Sequence, residues 1–145
     1  MKIPIPPITF IISFILSLIL YEFFPTFHIK SIDILSIALI IIGILFVVIA
    51  FISIKRHKTS IDPNDIPSVL IKSGIFSLSR NPIYLGMLII LFGLDFYFFS
   101  VLSFLNIVIY FIILNYYVIP KEERNIESRF DSAYLEYKRK VRKWI

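Results

Sequence analysis

The sequence predicts an all-α integral membrane protein with four transmembrane helices, a tight hairpin between the third and fourth, and a C-terminal cytoplasmic amphipathic helix. Three observations predict it. Hydrophobic residues make up 58% of the 145 residues and charged residues only 17%, against about 25% charged in an ordinary soluble domain. The apolar residues gather into four runs, each close to the roughly 20 residues that cross a bilayer core as a helix. Of the 15 Lys and Arg, only Lys30 lies outside the N-terminus, the segment after the second run and the C-terminal tail. That bias places both termini and the middle loop in the cytoplasm. The formal charge of +5 fits this rule and anionic headgroups. With no nucleic-acid motif in the chain, no nucleic-acid partner is expected.

The first helix is expected over 8–24, where Glu22 is the one charge. Met1-Lys2 looks like the start of a signal peptide, but no small-x-small site follows Phe24, so the helix is expected to be retained. The second is expected over 31–54, with Asp33 alone near its start. Gly43 and Ala50 share a face there and mark a helix contact. The third covers 82–99. Its Asp95 precedes four aromatic positions, which predicts a place at the far interface. Gly86 allows close helix approach. The fourth, over 101–119, carries no charge. Asn106 is expected to bond between helices, while Asn115 lies near the cytoplasmic end. Although Ile and Phe are rich in these runs, lipid favours helix, which alone satisfies its own backbone. Phe96-Tyr97-Phe98-Phe99-Ser100 is both an aromatic belt and a turn. The resulting hairpin brings 79–84 and 120–123 to one membrane face.

Those two segments carry the chemistry. The cytoplasmic loop 55–81 holds the helix breakers Pro63 and Pro67 and a Ser73-Gly74 turn. Asn81-Pro82 reads as a helix start, with Asn as cap and Pro at the first helical position. Exposed amides there suit an anion, and Arg80 adds a positive charge. The tail forms a helix over 121–141. Ile126, Phe130, Tyr134, Tyr137 and Val141 recur on one face, with Glu122 on the same stripe and Glu123 about 100° away. Read separately, the first segment is a capped helix and the acids are favoured by a helix dipole. Read together, they match a ligand of mixed charge. No Cys is present and the 4 Gly are too scattered for a G-x-G-x-x-G or P-loop. With only two His, no metal site is expected.

The string Ser73-Gly-Ile-Phe-Ser-Leu-Ser-Arg80-Asn81-Pro82-Ile83-Tyr84-Leu-Gly86, followed by Glu122-Glu123 and then Phe130, Tyr134, Tyr137 and Val141, resembles the isoprenylcysteine carboxyl methyltransferase and phospholipid methyltransferase superfamily. The resemblance runs from about Thr59 to Ile145 and includes Thr59-Ser60-Ile61 and Pro63. The first two helices match only in being apolar. It implies an integral membrane enzyme using S-adenosyl-L-methionine. Gly74, Arg80, Asn81, Pro82, Ile83 and Tyr84 would line the cofactor site, and Glu122 and Glu123 would face its ribose or amino group. The acceptor would be an amphipathic small molecule or lipid, methylated on a carboxylate or an amine. Arg80, Glu122 and Glu123 are the candidates for catalysis.

The chain departs from the pattern at three places. Asn81 stands where many members have His and cannot be protonated. Asp131 stands where Gly is usual. Trp144-Ile145 stands where members often continue with Pro. Two other classes are carried forward. Membrane reductases related to sterol reductases use NADPH and have a similar string, but here Ile83 and Met87 depart from it, and few basic residues remain to grip a 2′-phosphate. A non-catalytic membrane protein of the same fold would leave the two carboxylates without a purpose.

Overall fold

The computed structural model describes residues 6–23, 33–60, 65, 67–98 and 101–145. All regular structure among them is helical: α1 (Pro6–Phe23), α2 (Asp33–Arg56), α3 (Pro82–Phe98), α4 (Val101–Ile113) and α5 (Ile119–Lys140). A 3₁₀ turn, Gly74–Ser77, precedes α3, and a π-helical turn, Leu114–Val118, joins α4 to α5. The expected positions Phe24, Ser31, Ile61 and Pro63 lie outside the described residues, as does the turn at Phe99-Ser100. Two helices are long and apolar enough to cross a membrane by themselves, α2 and the continuous helix Val101–Lys140. The outward faces of α1 and α2 are rows of exposed Ile, Leu and Val. Such surface belongs in lipid, and the protein is a membrane protein.

α2 and α3 are packed backbone to backbone. A Cβ placed on Gly86 would sit 2.6 Å from the Gly43 carbonyl oxygen, and one on Gly43 would sit 2.6 Å from that of Gly86. Without a hydrophobic drive in lipid, this close approach supplies dispersion contact. Ala50, one of the two positions expected to mark a contact, is fully buried on the same helix. On its other side α3 lays Tyr84, Leu88 and Leu91 against Ile107, Tyr110 and Leu114 of α4 and its π turn, with Phe10 and Phe14 of α1 closing the cluster. Asn106 donates from Nδ2 to the Ser13 carbonyl at 2.9 Å and to Ser17 Oγ at 3.1 Å. It therefore ties α4 to α1, as expected for a polar side chain between helices.

Three expectations are corrected. The fourth helix does not end at 119 before a separate tail helix, because the π turn carries α4 into α5 without interruption. Pro120 lacks an N–H and its ring crowds the carbonyl four residues earlier. A wider π turn immediately ahead of it gives that room. Secondly, α5 is not one uninterrupted helix. Asp131 has φ 41 and ψ −117, a break inside the helix. Its buried residues are Ile119, Glu123, Tyr134 and Tyr137. Thirdly, Asp95 is only 5% exposed. Its carboxyl lies inside the bundle, because α3 turns the face of Leu88 and Leu91 inward and residue 95 falls on that face.

Two substitutions should move stability in opposite directions. Asp131→Gly removes a Cβ from a positive-φ position and should raise the unfolding free energy by about 1 kcal/mol. Gly86→Val drives a side chain into the α2 backbone and should lower it by about 1–3 kcal/mol. Unfolding of the detergent-solubilised protein in denaturant checks both. Equal effects in the same direction would contradict the packing described.

Candidate active site

The start of α3 and the start of α5 meet at one mouth of the bundle. Gly74 takes φ 63, a conformation open to a residue without Cβ, and so turns the chain ahead of α3. Ser79, buried, accepts from the Asn81 backbone N–H at 3.1 Å. The Leu85 N–H bonds the Asn81 carbonyl at 3.0 Å and begins the helix. Pro82 brings no N–H, which leaves the amides of Ile83 and Tyr84 without helical partners. The side-chain amide of Asn81 does not serve as an isolated cap. Its Nδ2 donates to the Lys143 carbonyl at 3.0 Å, and Ser79 Oγ donates to the same carbonyl at 3.3 Å.

Arg80 is held on several sides. Its Nη2 lies 2.9 Å from Glu123 Oε1, with the two side chains 8% and 10% exposed. Its Nη1 donates to the carbonyls of Lys138 and Val141 at 3.1 and 3.3 Å. Its backbone N–H donates to the Arg142 carbonyl at 3.1 Å. Lys143 Nζ and Trp144 Nε1 both reach Asn115 Oδ1, at 3.4 and 3.2 Å, and the Trp144 ring packs on Phe111. The chain end is thus pinned between α3 and the π turn. Tyr137 donates to the Phe76 carbonyl at 2.6 Å, which fixes the 3₁₀ turn against α5.

The two neighbouring acids are treated differently. Glu123 is neutralised by Arg80, with Lys138 Nζ a further 3.9 Å away. Glu122 receives a hydrogen bond from Tyr84 Oη at 2.8 Å and no ion pair among the described residues. Burial, helped by the charge of Glu123 and opposed by the Tyr84 bond, pushes its carboxyl from 4.5 up to about 7. Burial likewise raises Tyr137 to about 12 and raises Tyr134, so both remain neutral donors.

Between these residues lies a cleft that opens to solvent at one side. Arg80, Asn81, Pro82, Ile83, Tyr84, Glu122 and Glu123 all border it, and an apolar wall comes from Ile54, Ile71, Phe76 and Ile126. Gly74 is not on its wall; it makes the turn that puts Phe76 there. Arg80 is engaged by Glu123 and is not the free positive charge that spacing suggested. Tyr134 and Tyr137 also border the cleft. Their place on the stripe was visible in the sequence, but their reach to the cleft was not. The backbone carbonyls of Lys138, Val141, Arg142 and Lys143 left no signal at all, since any residue supplies a carbonyl.

A family model described as phospholipid methyltransferase matches residues 32–133. The class of protein is therefore a membrane methyltransferase. The chain belongs to the phospholipid methyltransferase family. The match takes in α2, which by eye resembled the family only in being apolar, and stops before Tyr134. An uncharacterized protein of Haemophilus influenzae is 36% identical over 62 residues, 43% of this chain and 98% of that protein. No solved structure matches the chain.

Glu122 gives the site a pH signature. Its folded value, about 7, lies above the ordinary 4.5, so between these the folded state holds more protons than the unfolded one. The stability this contributes is complete below pH 4.5 and is lost as pH rises through about 7. The unfolding midpoint should fall across that window, and Glu122→Gln should flatten the fall. A midpoint whose pH profile is unchanged by the substitution would contradict the assignment.

Proposed function

We propose that the protein is a multi-pass membrane methyltransferase that moves a methyl group from S-adenosyl-L-methionine to an amphipathic or lipid-like acceptor. In this reading all four apolar helices span the bilayer and both termini and the cleft face the cytoplasm. The observation that carries the reading is the carboxyl of Glu122, bonded by Tyr84 but by no cation among the described residues, beside a Glu123 that is already paired.

The residues fit the cofactor. A carboxylate suits the free amides at the start of α3. An ammonium or sulfonium suits Glu122, whose negative form lacks a counter-charge. The adenine suits the apolar wall. When bound, S-adenosyl-L-methionine supplies an electrophilic methyl group. The chain's own contribution is alignment and exclusion of water. Tyr84 orients Glu122 through a single hydrogen bond. Burial of Glu122 sets its proton affinity near neutrality. An amine acceptor must lose a proton, for which Glu122 is the candidate base. A carboxylate acceptor needs no such step.

The family match supports methyl transfer over the reductase that the Arg80–Tyr84 string also resembles. Thermal unfolding with S-adenosylhomocysteine, with NADPH in parallel, tests this. A ligand at about 100 times its dissociation constant adds about 2.7 kcal/mol. The midpoint should rise with S-adenosylhomocysteine, and the rise should disappear in Glu122→Ala and Asn81→Ala. A rise with NADPH alone would overturn the proposal in favour of the reductase. No rise with either, in folded protein, would favour the non-catalytic alternative. The ionised form of Glu122 is the one that binds a cation. Affinity for S-adenosyl-L-methionine should therefore increase as pH rises toward about 7 and level off above it. Calorimetry in buffers of different ionisation enthalpy reads the released proton.

A further inference from the structure

At the opposite end of the bundle lies a second polar cluster that methyl transfer does not use. Asp95 of α3 is 5% exposed, Ser17 of α1 and Ser103 of α4 are fully buried, and Asn106 of α4 is 6% exposed. Among the described residues neither carboxyl oxygen of Asp95 has a partner within hydrogen-bond distance, and the Ser17 hydroxyl is the donor that faces it. Two of the donors around it are engaged elsewhere. Asn106 gives its side-chain N–H groups to the Ser13 carbonyl and to Ser17 Oγ. Ser103 gives its hydroxyl to the Ser17 carbonyl at 3.3 Å. An ionised carboxylate inside a membrane protein without a partner is costly, and such groups mark ion or proton sites.

We propose that Asp95, Ser17 and Ser103 form a binding site for a small monovalent cation of the sodium type, separate from the methyl-transfer cleft. Charge and donor count select the ligand. All the groups on offer are oxygens, which suits a hard cation rather than a soft metal. Only one of them carries charge. A monovalent ion leaves the site neutral, whereas a divalent ion would leave a net positive charge buried in an apolar bundle. A proton would satisfy one carboxyl oxygen, with the Ser17 hydroxyl left for the other, and would leave the remaining lone pairs of the two hydroxyls unused. An ion among the helices engages both carboxyl oxygens together with the free lone pairs of the two hydroxyls. Because the ligands come from α1, α3 and α4, occupation ties three helices together.

The test uses the full-length detergent-solubilised protein, with no cofactor, at about pH 8, where an unperturbed carboxyl is ionised. The unfolding midpoint is followed while NaCl replaces choline chloride at constant total salt, up to ~100 mM. The wild type should gain several degrees and saturate. Asp95→Asn should show the same midpoint in both salts, and Ser17→Ala and Ser103→Ala should need more sodium for the same gain. Should Asp95→Asn fail to fold, the serine variants and ²³Na line broadening on the wild type carry the test. A wild-type midpoint indifferent to sodium, or one that follows pH alone, overturns the proposal. So does a sodium response that survives Asp95→Asn or both serine substitutions. None of these outcomes bears on cofactor binding, so this proposal and the methyltransferase reading fail independently.

Discussion

The ion pair between Arg80 and Glu123 is nearly closed to solvent on both sides, and the mouth of the bundle is arranged around it. Charges of this kind are costly to bury, and one left without its partner is costlier than the pair. Arg80 recovers part of that cost through the carbonyls of Lys138 and Val141. One side chain thus fixes the start of α3, the first turn of α5 and the end of the chain. The pairing has a chemical consequence. With Glu123 neutralised, Glu122 beside it is left with a hydrogen bond from Tyr84 and no positive partner among the described residues.

The membrane portion holds this mouth in place and lends it part of its apolar wall. α2 and α3 touch backbone to backbone at Gly43 and Gly86, and α3 is backed by the aromatic and aliphatic cluster of α1 and α4. The helix that begins at the cleft is therefore gripped along its length. The π turn at Leu114–Val118 delivers α5 past Pro120, so that Glu122 and Glu123 arrive opposite Tyr84 and Arg80. Stability and function share these elements, and a change in helix spacing should be felt at the cleft.

Much of this was legible in the residues. Run length and charge bias gave the helices to within a few positions. The hairpin argument brought Arg80 and Tyr84 to the same end as the two acids. What escaped was backbone geometry. A π turn and a positive-φ break at Asp131 are not coded by apolar periodicity, which assumes one continuous helical phase. Glu122 and Glu123 lie four and three residues before Ile126, so periodicity could not choose between them, and Glu123 is the more buried. The division of labour between the acids was hidden too, because both are glutamates and only distance to Arg80 separates them. Asp95 was misread because its aromatic neighbours describe depth in the membrane and not which way the residue faces.

A double-mutant cycle on Arg80 and Glu123 tests the central claim most directly. Unfolding free energies are measured for Arg80→Met, Glu123→Gln and the pair. Each single change should cost about 3–5 kcal/mol, because it strands a buried partner. The double variant should cost less than the sum by about 1–3 kcal/mol. Additive costs, or single variants as stable as the wild type, would show that the mouth does not depend on this pair.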